Sequence, residues 1–117
     1  MVVHEIKTSR ELDRFLKEHE VVVVYCGLTH CAPCKVVYPK FESIIDKYMN
    51  ISFCKITLDM VEDDDCESYI REKLKLTKFP SFTLISNGII LDHVIGPNID
   101  KVISILDCIG DTGDEEF

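Results

Sequence analysis

The sequence is poor in positive charge and in long apolar segments, and both shortages exclude classes of protein. It has 13 lysines and arginines against 21 acidic residues, which gives a net charge of −8. Nucleic acids and anionic membrane surfaces attract basic patches, so we expect neither as a partner. No stretch approaches the roughly 18 apolar residues of a membrane-spanning helix. The first residues also lack the pattern of an export signal, and we therefore expect a cytoplasmic location.

Several chemical motifs are missing as well. The chain has no glycine-rich phosphate-binding motif of the kind that holds nucleotides. The acidic run at residues 62–65 lacks the spacing of a calcium loop and is interpreted as the solvated start of a helix. The six cysteines include only one clear pair, whereas zinc and iron–sulfur sites need three or four converging ligands. We therefore predict that the protein holds no bound cofactor and no metal.

The apolar residues that are present indicate one α/β domain. At 117 residues and 46% apolar content, the chain can bury one hydrophobic core. Thr8 and Glu11 form a capping box that predicts the start of a helix. The continuous apolar run from Val21 to Cys26 is typical of a central strand buried on both faces. Asn87-Gly88 between two apolar runs is a strong hairpin signal.

Taken in order, the patterns predict a βαβαβαββα chain, in which a mixed central sheet carries helices on both faces. We place strands at 2–6, 21–26, 51–58, 81–86 and 89–95, and helices at 8–19, 31–49, 62–74 and 99–109. Pro39 predicts a kink in the second helix, and Gly110 is expected to end the last one. Residues 1–110 would then form one domain, and residues 111–117 an acidic tail.

Cys31-Ala32-Pro33-Cys34 follows the central strand after a short loop at residues 27–30. If a helix begins at Cys31, positions i and i+3 bring both sulfurs to one helix face, with Cβ atoms about 5–6 Å apart. That spacing suits a disulfide that can close and reopen with little backbone movement. The N-terminus of a helix carries partial positive charge and unpaired N–H groups, which favour the nucleophilic thiolate. The motif and its setting therefore predict a redox-active dithiol.

The other four cysteines are interpreted as thiols in a reducing compartment. Cys54 and Cys108 fall in apolar patterns and are predicted to be core residues, whereas Cys66 lies on an acidic helix and is expected to be partly exposed. Cys26 ends the central strand, where a small buried apolar residue is the favoured interpretation. The alternative for Cys26 is a thiol close enough to the dithiol to pair with it after a shift.

These features resemble the thioredoxin family over nearly all of residues 1–110. The stretch from Cys31 to Lys35 is close to the Cys-Gly-Pro-Cys-Lys of that family, and Pro39 matches the kinking proline of its active-site helix. Pro80 matches the cis-proline of the family. Asn87-Gly88 and Gly96 match its hairpin turn and the glycine beyond it. The resemblance implies the thioredoxin fold.

The resemblance also implies a thiol–disulfide oxidoreductase that reduces protein disulfides. Cys31 would attack the substrate disulfide, and Cys34 would resolve the mixed disulfide. A separate reductase, either thioredoxin reductase or the glutathione system, would recharge the pair, and we expect the protein to be a monomer. The implied substrate-binding residues flank the dithiol, namely His30, Ala32, Pro33, Phe79, Pro80 and Gly96.

The chain departs from the family pattern before the motif. The family usually has a buried acid six positions before the first cysteine, which takes the proton of the resolving thiol, and here that position is Tyr25. A tyrosine, with an ordinary pKa of about 10, is a poor base at neutral pH. Lys55 matches the lysine that approaches the acid in the family. We therefore predict that Tyr25 and Lys55 are neighbours.

The two tryptophans that flank the motif in the family are also absent, and Gly27 and His30 hold their positions. His30 could stabilise the Cys31 thiolate or relay a proton, and it could equally be an exposed loop residue. These departures leave two further hypotheses open. One is a thioredoxin-fold binding or adaptor subunit with little or no redox turnover. The other is a disulfide donor or isomerase, which differs from a reductant in its redox potential.

Overall fold

The structure is a computed structural model that describes residues 3–114, with the side chains of residues 3–109. Its helices and strands follow the predicted order βαβαβαββα. They are β1 (His4–Glu5), α1 (Ser9–Glu18), β2 (Val21–Gly27), α2 (Ala32–Ile44), β3 (Ser52–Thr57), α3 (Asp64–Lys73), β4 (Ser81–Ser86), β5 (Ile89–Ile95) and α4 (Ile99–Asp114). Single 3₁₀ turns follow α2 and β3, at Ile45–Lys47 and Leu58–Met60.

The last helix corrects one boundary of the sequence-based prediction. It continues past Gly110 to Asp114, so the expected stop at Gly110 is wrong. A glycine inside a helix costs about 1 kcal/mol and does not by itself end the helix. The predicted acidic tail at 111–117 therefore overlaps the end of α4, and residues 115–117 lie outside the described range. Pro39 lies inside α2, and the kink there remains a prediction.

The sheet is mixed, as predicted, with the strand order β1-β3-β2-β4-β5. The three strands β1, β3 and β2 are parallel, and β4 runs antiparallel to both β2 and β5. Asn87 and Gly88 join β4 to β5 with φ angles of +51° and +81°. This is the left-handed conformation that an Asn-Gly hairpin turn requires.

The central strand β2 divides the core into two parts. Successive residues of a strand point to opposite faces of the sheet. Val23 and Tyr25 therefore pack towards α2 and α4, whereas Val22, Val24 and Cys26 pack towards α1 and α3. We call these two sides the α2/α4 face and the α1/α3 face. All five side chains are at most 4% exposed, which confirms that the strand is buried on both faces.

The capping box at the start of α1 is confirmed. The Glu11 backbone N–H donates to Thr8 Oγ1 at 3.0 Å, and the Thr8 backbone N–H donates to Glu11 Oε1 at 3.1 Å. These two bonds satisfy N–H groups that a helix start would otherwise leave unpaired. The helix then buries Leu12 and Leu16 against the α1/α3 face.

Cys26 and Cys54 are core residues on the α1/α3 face, and both are 0% exposed. Burial raises the pKa of Cys26 to about 12 and also raises the pKa of Cys54, because a buried thiolate would lose its hydration. Both side chains therefore stay protonated and pack as small apolar groups. The favoured interpretation of Cys26 is confirmed.

The two remaining cysteines differ from each other. Cys66 is half-buried on α3, as expected, and its sulfur accepts a hydrogen bond from the Ser9 backbone N–H at 3.4 Å. Cys108 is exposed, so its prediction as a core residue is wrong. Val102 and Leu106, four residues apart, form the buried side of α4. A residue two positions after Leu106 points to the opposite side of the helix.

Alkaline solution should destabilise the fold through Cys26. In the unfolded chain a cysteine ionises near pH 9, well below the folded pKa of about 12, so proton release favours unfolding as the pH rises. The stabilisation is fully present below pH 9 and is lost between pH 9 and 12, at a rate of at most roughly 1.4 kcal/mol per pH unit. Urea denaturation over this interval measures the decline in unfolding free energy. Cys26→Ala should decline less steeply, and equal slopes would contradict the assignment.

Candidate active site

Cys31 and Cys34 form a disulfide at the start of α2, with their Cα atoms 5.2 Å apart. Cys31 is the N-cap residue, and its sulfur accepts a hydrogen bond from the Cys34 backbone N–H at 3.3 Å. Ala32 and Pro33 occupy the first two helical positions, where proline is tolerated because its missing N–H would be unpaired anyway. The predicted pair is therefore assembled at a helix N-terminus.

The two sulfur-bearing residues have different surroundings. Cys31 is half-buried, whereas Cys34 is 3% exposed and belongs to the core of the α2/α4 face. When the disulfide is reduced, the N–H group that contacts the Cys31 sulfur and the partial charge of the helix start both favour a thiolate at Cys31. The site therefore combines one accessible, stabilised sulfur with one buried sulfur.

An acid that the sequence patterns did not single out holds the loop before Cys31. The Thr29 backbone N–H donates to Asp59 Oδ1 at 2.9 Å. This bond lowers the pKa of Asp59, with a smaller contribution from the charge of the exposed His30. Asp59 follows β3, which runs parallel to β2, and the carboxyl ends of parallel strands meet at one sheet edge. That topology is the signal that could have identified Asp59.

Pro80 and its neighbours lie at the same edge of the sheet. The Phe79–Pro80 peptide bond is cis, as the resemblance implied, and the first residue of β4 pairs with the end of β2. The Gly96 N–H donates to the Pro80 carbonyl oxygen at 2.8 Å. Gly96 has a φ of +95°, which a glycine adopts without strain. The half-buried Phe79 ring has the Arg71 guanidinium 5.6 Å from its centre.

Tyr25 lies beside Cys34 on the α2/α4 face. Its ring packs against those of Tyr38 and Phe82, at centroid distances of 4.8 and 5.4 Å. Burial, with smaller contributions from Cys26 and Tyr38, raises the pKa of Tyr25 to about 12. Tyr25 is therefore neutral at physiological pH. It can donate a hydrogen bond, but it cannot act as the base that an acid would provide at this position.

Gly27 makes room for the Tyr25 side chain. A Cβ atom at residue 27 would overlap the Tyr25 hydroxyl and would come within 3.2 Å of the Cys34 sulfur. The Tyr25 hydroxyl and the Cys34 sulfur thus both lie close to the Gly27 backbone. The two departures from the family pattern are therefore connected, because the large side chain at position 25 occupies space that a side chain at position 27 would need.

The predicted proximity of Tyr25 and Lys55 is confirmed, because the two residues are register partners on β2 and β3. The Lys55 ammonium itself lies 4.4 Å from the centre of the Tyr38 ring, which is a cation–π arrangement. Burial, together with Glu42, raises the pKa of Tyr38 to about 12. Sequence reasoning missed Tyr38, although its position one helical turn after Cys34 places both on the same face of α2.

The structure separates Cys26 from the dithiol, because Cys26 faces α1 and α3 whereas Cys34 packs on the other face of the sheet.

Within residues 3–114, no group of three or more His, Cys, Asp or Glu residues converges as a metal site. In the same range, the helices fall short of the length and apolar character that crossing a membrane requires.

Comparison with known proteins identifies relatives along most of the chain. The thioredoxin family model matches residues 3–107. Thioredoxin-1 of Schizosaccharomyces pombe is 29% identical over 101 residues, which cover 86% of this chain and 92% of that protein. Thioredoxin-1 of Saccharomyces cerevisiae is 29% identical over 97 residues, which cover 83% and 88%. Thioredoxin-2 of Pyricularia oryzae is 28% identical over 91% of this chain, and the match spans 58% of that relative's length.

Solved thioredoxin structures share the fold. Thioredoxin of Plasmodium falciparum superposes with a TM-score of 0.80 at 27% identity, covering 90% of this chain and 97% of that chain. Thioredoxin of Malassezia sympodialis superposes with a TM-score of 0.82 at 25% identity, covering 93% and 91%. Because sequence, fold and the paired cysteines agree, the chain belongs to the thioredoxin family of thiol–disulfide oxidoreductases.

Proposed function

We propose that this protein reduces disulfide bonds in other proteins, with Cys31 as the attacking sulfur and Cys34 as the resolving sulfur. The unequal exposure of the pair carries this assignment, because Cys31 is half-buried at the helix N-cap and Cys34 is 3% exposed. A protein substrate can bring its disulfide to Cys31, whereas Cys34 is out of reach of a folded partner.

The reaction begins with the reduced protein, in which the Cys31 thiolate attacks one sulfur of the substrate disulfide. A bond forms between Cys31 and that sulfur, and the other substrate sulfur leaves as a thiolate. The Cys34 thiolate then attacks Cys31, and the second substrate sulfur leaves with its electron pair. The substrate has gained two electrons and, from solvent, two protons. The protein is left with the Cys31–Cys34 disulfide, to which a donor must return two electrons.

Substrates would lie along the edge where the dithiol loop and the Phe79–Pro80 bond meet. His30, Ala32 and Pro33 are exposed around Cys31 and would contact the substrate. The Phe79 backbone would pair with an extended substrate segment, in the manner of an added strand. The hydrogen bond between Gly96 and Pro80 would keep this edge in place.

The oxidised pair needs a separate electron donor, for which we propose thioredoxin reductase or the glutathione system. The thioredoxin family acts on protein disulfides and is recycled by a reductase. The thiols of Cys26, Cys54 and Cys66 suit a reducing compartment, and we propose the cytoplasm. The two sulfurs carry the electrons, so a monomer without a further redox cofactor would be sufficient.

Tyr25 would make the resolving step different from that of its relatives. Its raised pKa of about 12 leaves it unable to take the Cys34 proton near neutral pH. That proton must pass to water or to another acceptor, and resolution would therefore be the slow step. Once the Cys34 thiolate has formed, the Tyr25 hydroxyl beside it can donate a charge-assisted hydrogen bond.

Replacement of either active-site cysteine should separate the two steps. Cys31→Ser should lower protein-disulfide turnover to the background of the reductant alone, because the attacking sulfur is lost. Cys34→Ser should still attack the substrate and should accumulate the mixed disulfide. Insulin reduction and non-reducing electrophoresis measure these outcomes. Cys66→Ser is the matched control and should keep wild-type turnover, and turnover by Cys31→Ser above background would contradict the assignment.

Tyr25→Asp should restore a base for Cys34. We expect the resolving step at neutral pH to accelerate roughly a hundredfold, which is the lower range for general base catalysis. A new inflection should appear in the pH profile, above the ordinary aspartate pKa of about 4, because burial raises the pKa of a carboxyl. Rapid-mixing measurement of mixed-disulfide decay across the pH range tests this expectation.

Tyr25→Phe is the control for this experiment, since it keeps the ring and removes only the hydroxyl. It should show no new inflection, and resolution should slow because the hydrogen bond to the Cys34 thiolate is lost. Circular dichroism checks that both variants are folded. A folded Tyr25→Asp variant with the wild-type rate and pH profile would show that position 25 does not control the step.

A further inference from the structure

A cavity of about 410 Å³ opens beside Cys34. It lies on the β3 side of β2, whereas Pro80 and the proposed protein-binding edge lie on the β4 side. Its volume is within the roughly 300–1,000 Å³ of small-molecule sites. We call it the Cys34 cavity. The wall residues that matter here are Tyr25, Gly27, Cys34, Tyr38 and Lys55.

Gly27 leaves space open beside the Cys34 sulfur, and both residues line the Cys34 cavity. A side chain at residue 27 would begin 3.2 Å from the Cys34 sulfur and would cover it. With glycine there, Cys34 forms part of the cavity wall although only 3% of the residue is exposed. The exposed part is small, but it faces a space of molecular size.

The charged side chains in the wall of the Cys34 cavity favour an anion. Lys35 and Lys55 both line it, and the Lys55 ammonium is held over the Tyr38 ring. Glu5 is a carboxylate in the wall, and its Oε2 lies 4.0 Å from the Lys7 ammonium. The wall therefore has two cations against one acid that already has a partner, while Glu42, which is hydrogen-bonded to Tyr38, and Asp59, which accepts from the Thr29 N–H, do not line it. This contrasts with the net charge of −8 for the whole chain.

We propose that the Cys34 cavity admits a small, carboxylate-bearing thiol, which reduces the Cys31–Cys34 disulfide by attacking Cys34. This route deepens the proposed function and rests on it, because it returns the electrons that substrate reduction removes. Protein substrates would react at Cys31 and the small thiol at Cys34, on opposite sides of β2.

The exchange balances with two small thiols. The first thiolate forms a bond to the Cys34 sulfur, the Cys31–Cys34 bond breaks, and its electron pair leaves on Cys31. Cys31 is the better leaving group, because the Cys34 N–H and the helix start stabilise its thiolate. A second thiolate attacks the sulfur of the bound small thiol, which yields a small-molecule disulfide and a Cys34 thiolate. The protein takes up two electrons and, once both thiolates are protonated, two protons.

The Cys31→Ser variant isolates the reaction at Cys34, since the intramolecular partner is gone. The reduced variant is incubated with glutathione disulfide, and peptide mass spectrometry locates the attached glutathione. We expect it on Cys34, with Cys26 and Cys54 unmodified, because these two residues are 0% exposed and would react only if the fold opened. A Cys34 that reacts in urea but stays unmodified in the folded variant would overturn the proposal.

The charge preference is tested with a neutral probe, 2-hydroxyethyl disulfide, in parallel. Lys55→Gln, made in the Cys31→Ser background, should slow the reaction of Cys34 with glutathione disulfide about fivefold, which is the effect of one ion pair at about 4 Å in water. It should leave the neutral probe unaffected. Lys47→Gln, an exposed lysine outside the cavity, is the matched control and should change neither rate. Equal effects on both probes would overturn the preference for an anion.

The route is tested at Met60, a wall residue that is 56% exposed. Met60→Trp in the Cys31→Ser background should fill the opening and remove most of the reaction with both probes, and an unchanged rate would overturn the cavity as the path.

Insulin reduction by the wild-type protein, with dithiothreitol as the electron donor, distinguishes a failure of this inference from a failure of the proposed function. Insulin reduction without glutathione on Cys34 would defeat this inference alone. Glutathione on Cys34 without insulin reduction would defeat the proposed function alone.

Discussion

The burial of β2 on both faces is the constraint on which the rest of the site depends. In a strand covered on both faces, successive side chains enter the cores on opposite sides of the sheet. Its last residues cannot move to the other face without a one-residue shift in register. Tyr25 therefore faces the helix that carries Cys34, and Cys26 faces away from it. The loop that leaves β2 has to start α2 at the sheet edge, where β3 and β4 also present their ends.

Within that frame, Tyr25 and Gly27 alter the chemistry without altering the fold. A neutral phenol stands at position 25, where the family resemblance implies a titratable acid, so this position offers a hydrogen-bond donor and no base near neutral pH. The glycine two positions later removes the side chain that would compete with the phenol for space. It also leaves open the space next to the Cys34 sulfur, which a side chain at residue 27 would enter. In the proposed mechanism, proton transfer and access at Cys34 both depend on this pair of residues.

The parts of the structure that depend on local sequence could be predicted from it. The capping box at Thr8, the Asn87-Gly88 turn and the spacing of Cys31 and Cys34 each specify the geometry of a few consecutive residues. The pairing of Tyr25 with Lys55 followed from the resemblance, which supplies a register that periodicity alone does not contain.

The parts that depend on how distant elements meet could not be predicted in the same way. Asp59 approaches Thr29 only because β3 ends beside β2, and Lys55 reaches the Tyr38 ring only because α2 packs against β3. Cys108 lies in an apolar segment, but the angular position of each residue on α4 decides which side is buried. The Cys34 cavity lies between several elements, so its presence depends on how they pack and not on a pattern of consecutive residues.

Cys31 is both the N-cap of α2 and the reactive sulfur of the site, and these two roles favour different side chains. Serine, threonine, aspartate and asparagine are the side chains that cap a helix best, and cysteine is not among them. At residue 31 the demands of helix stability and of reactivity therefore select different side chains. Val37 and Phe41 continue the buried side of α2 beyond Cys34, so core contacts hold the helix in addition to its cap. A lineage that no longer needed the dithiol would meet little structural resistance to replacing this cysteine, and the helix would remain while the chemistry disappeared.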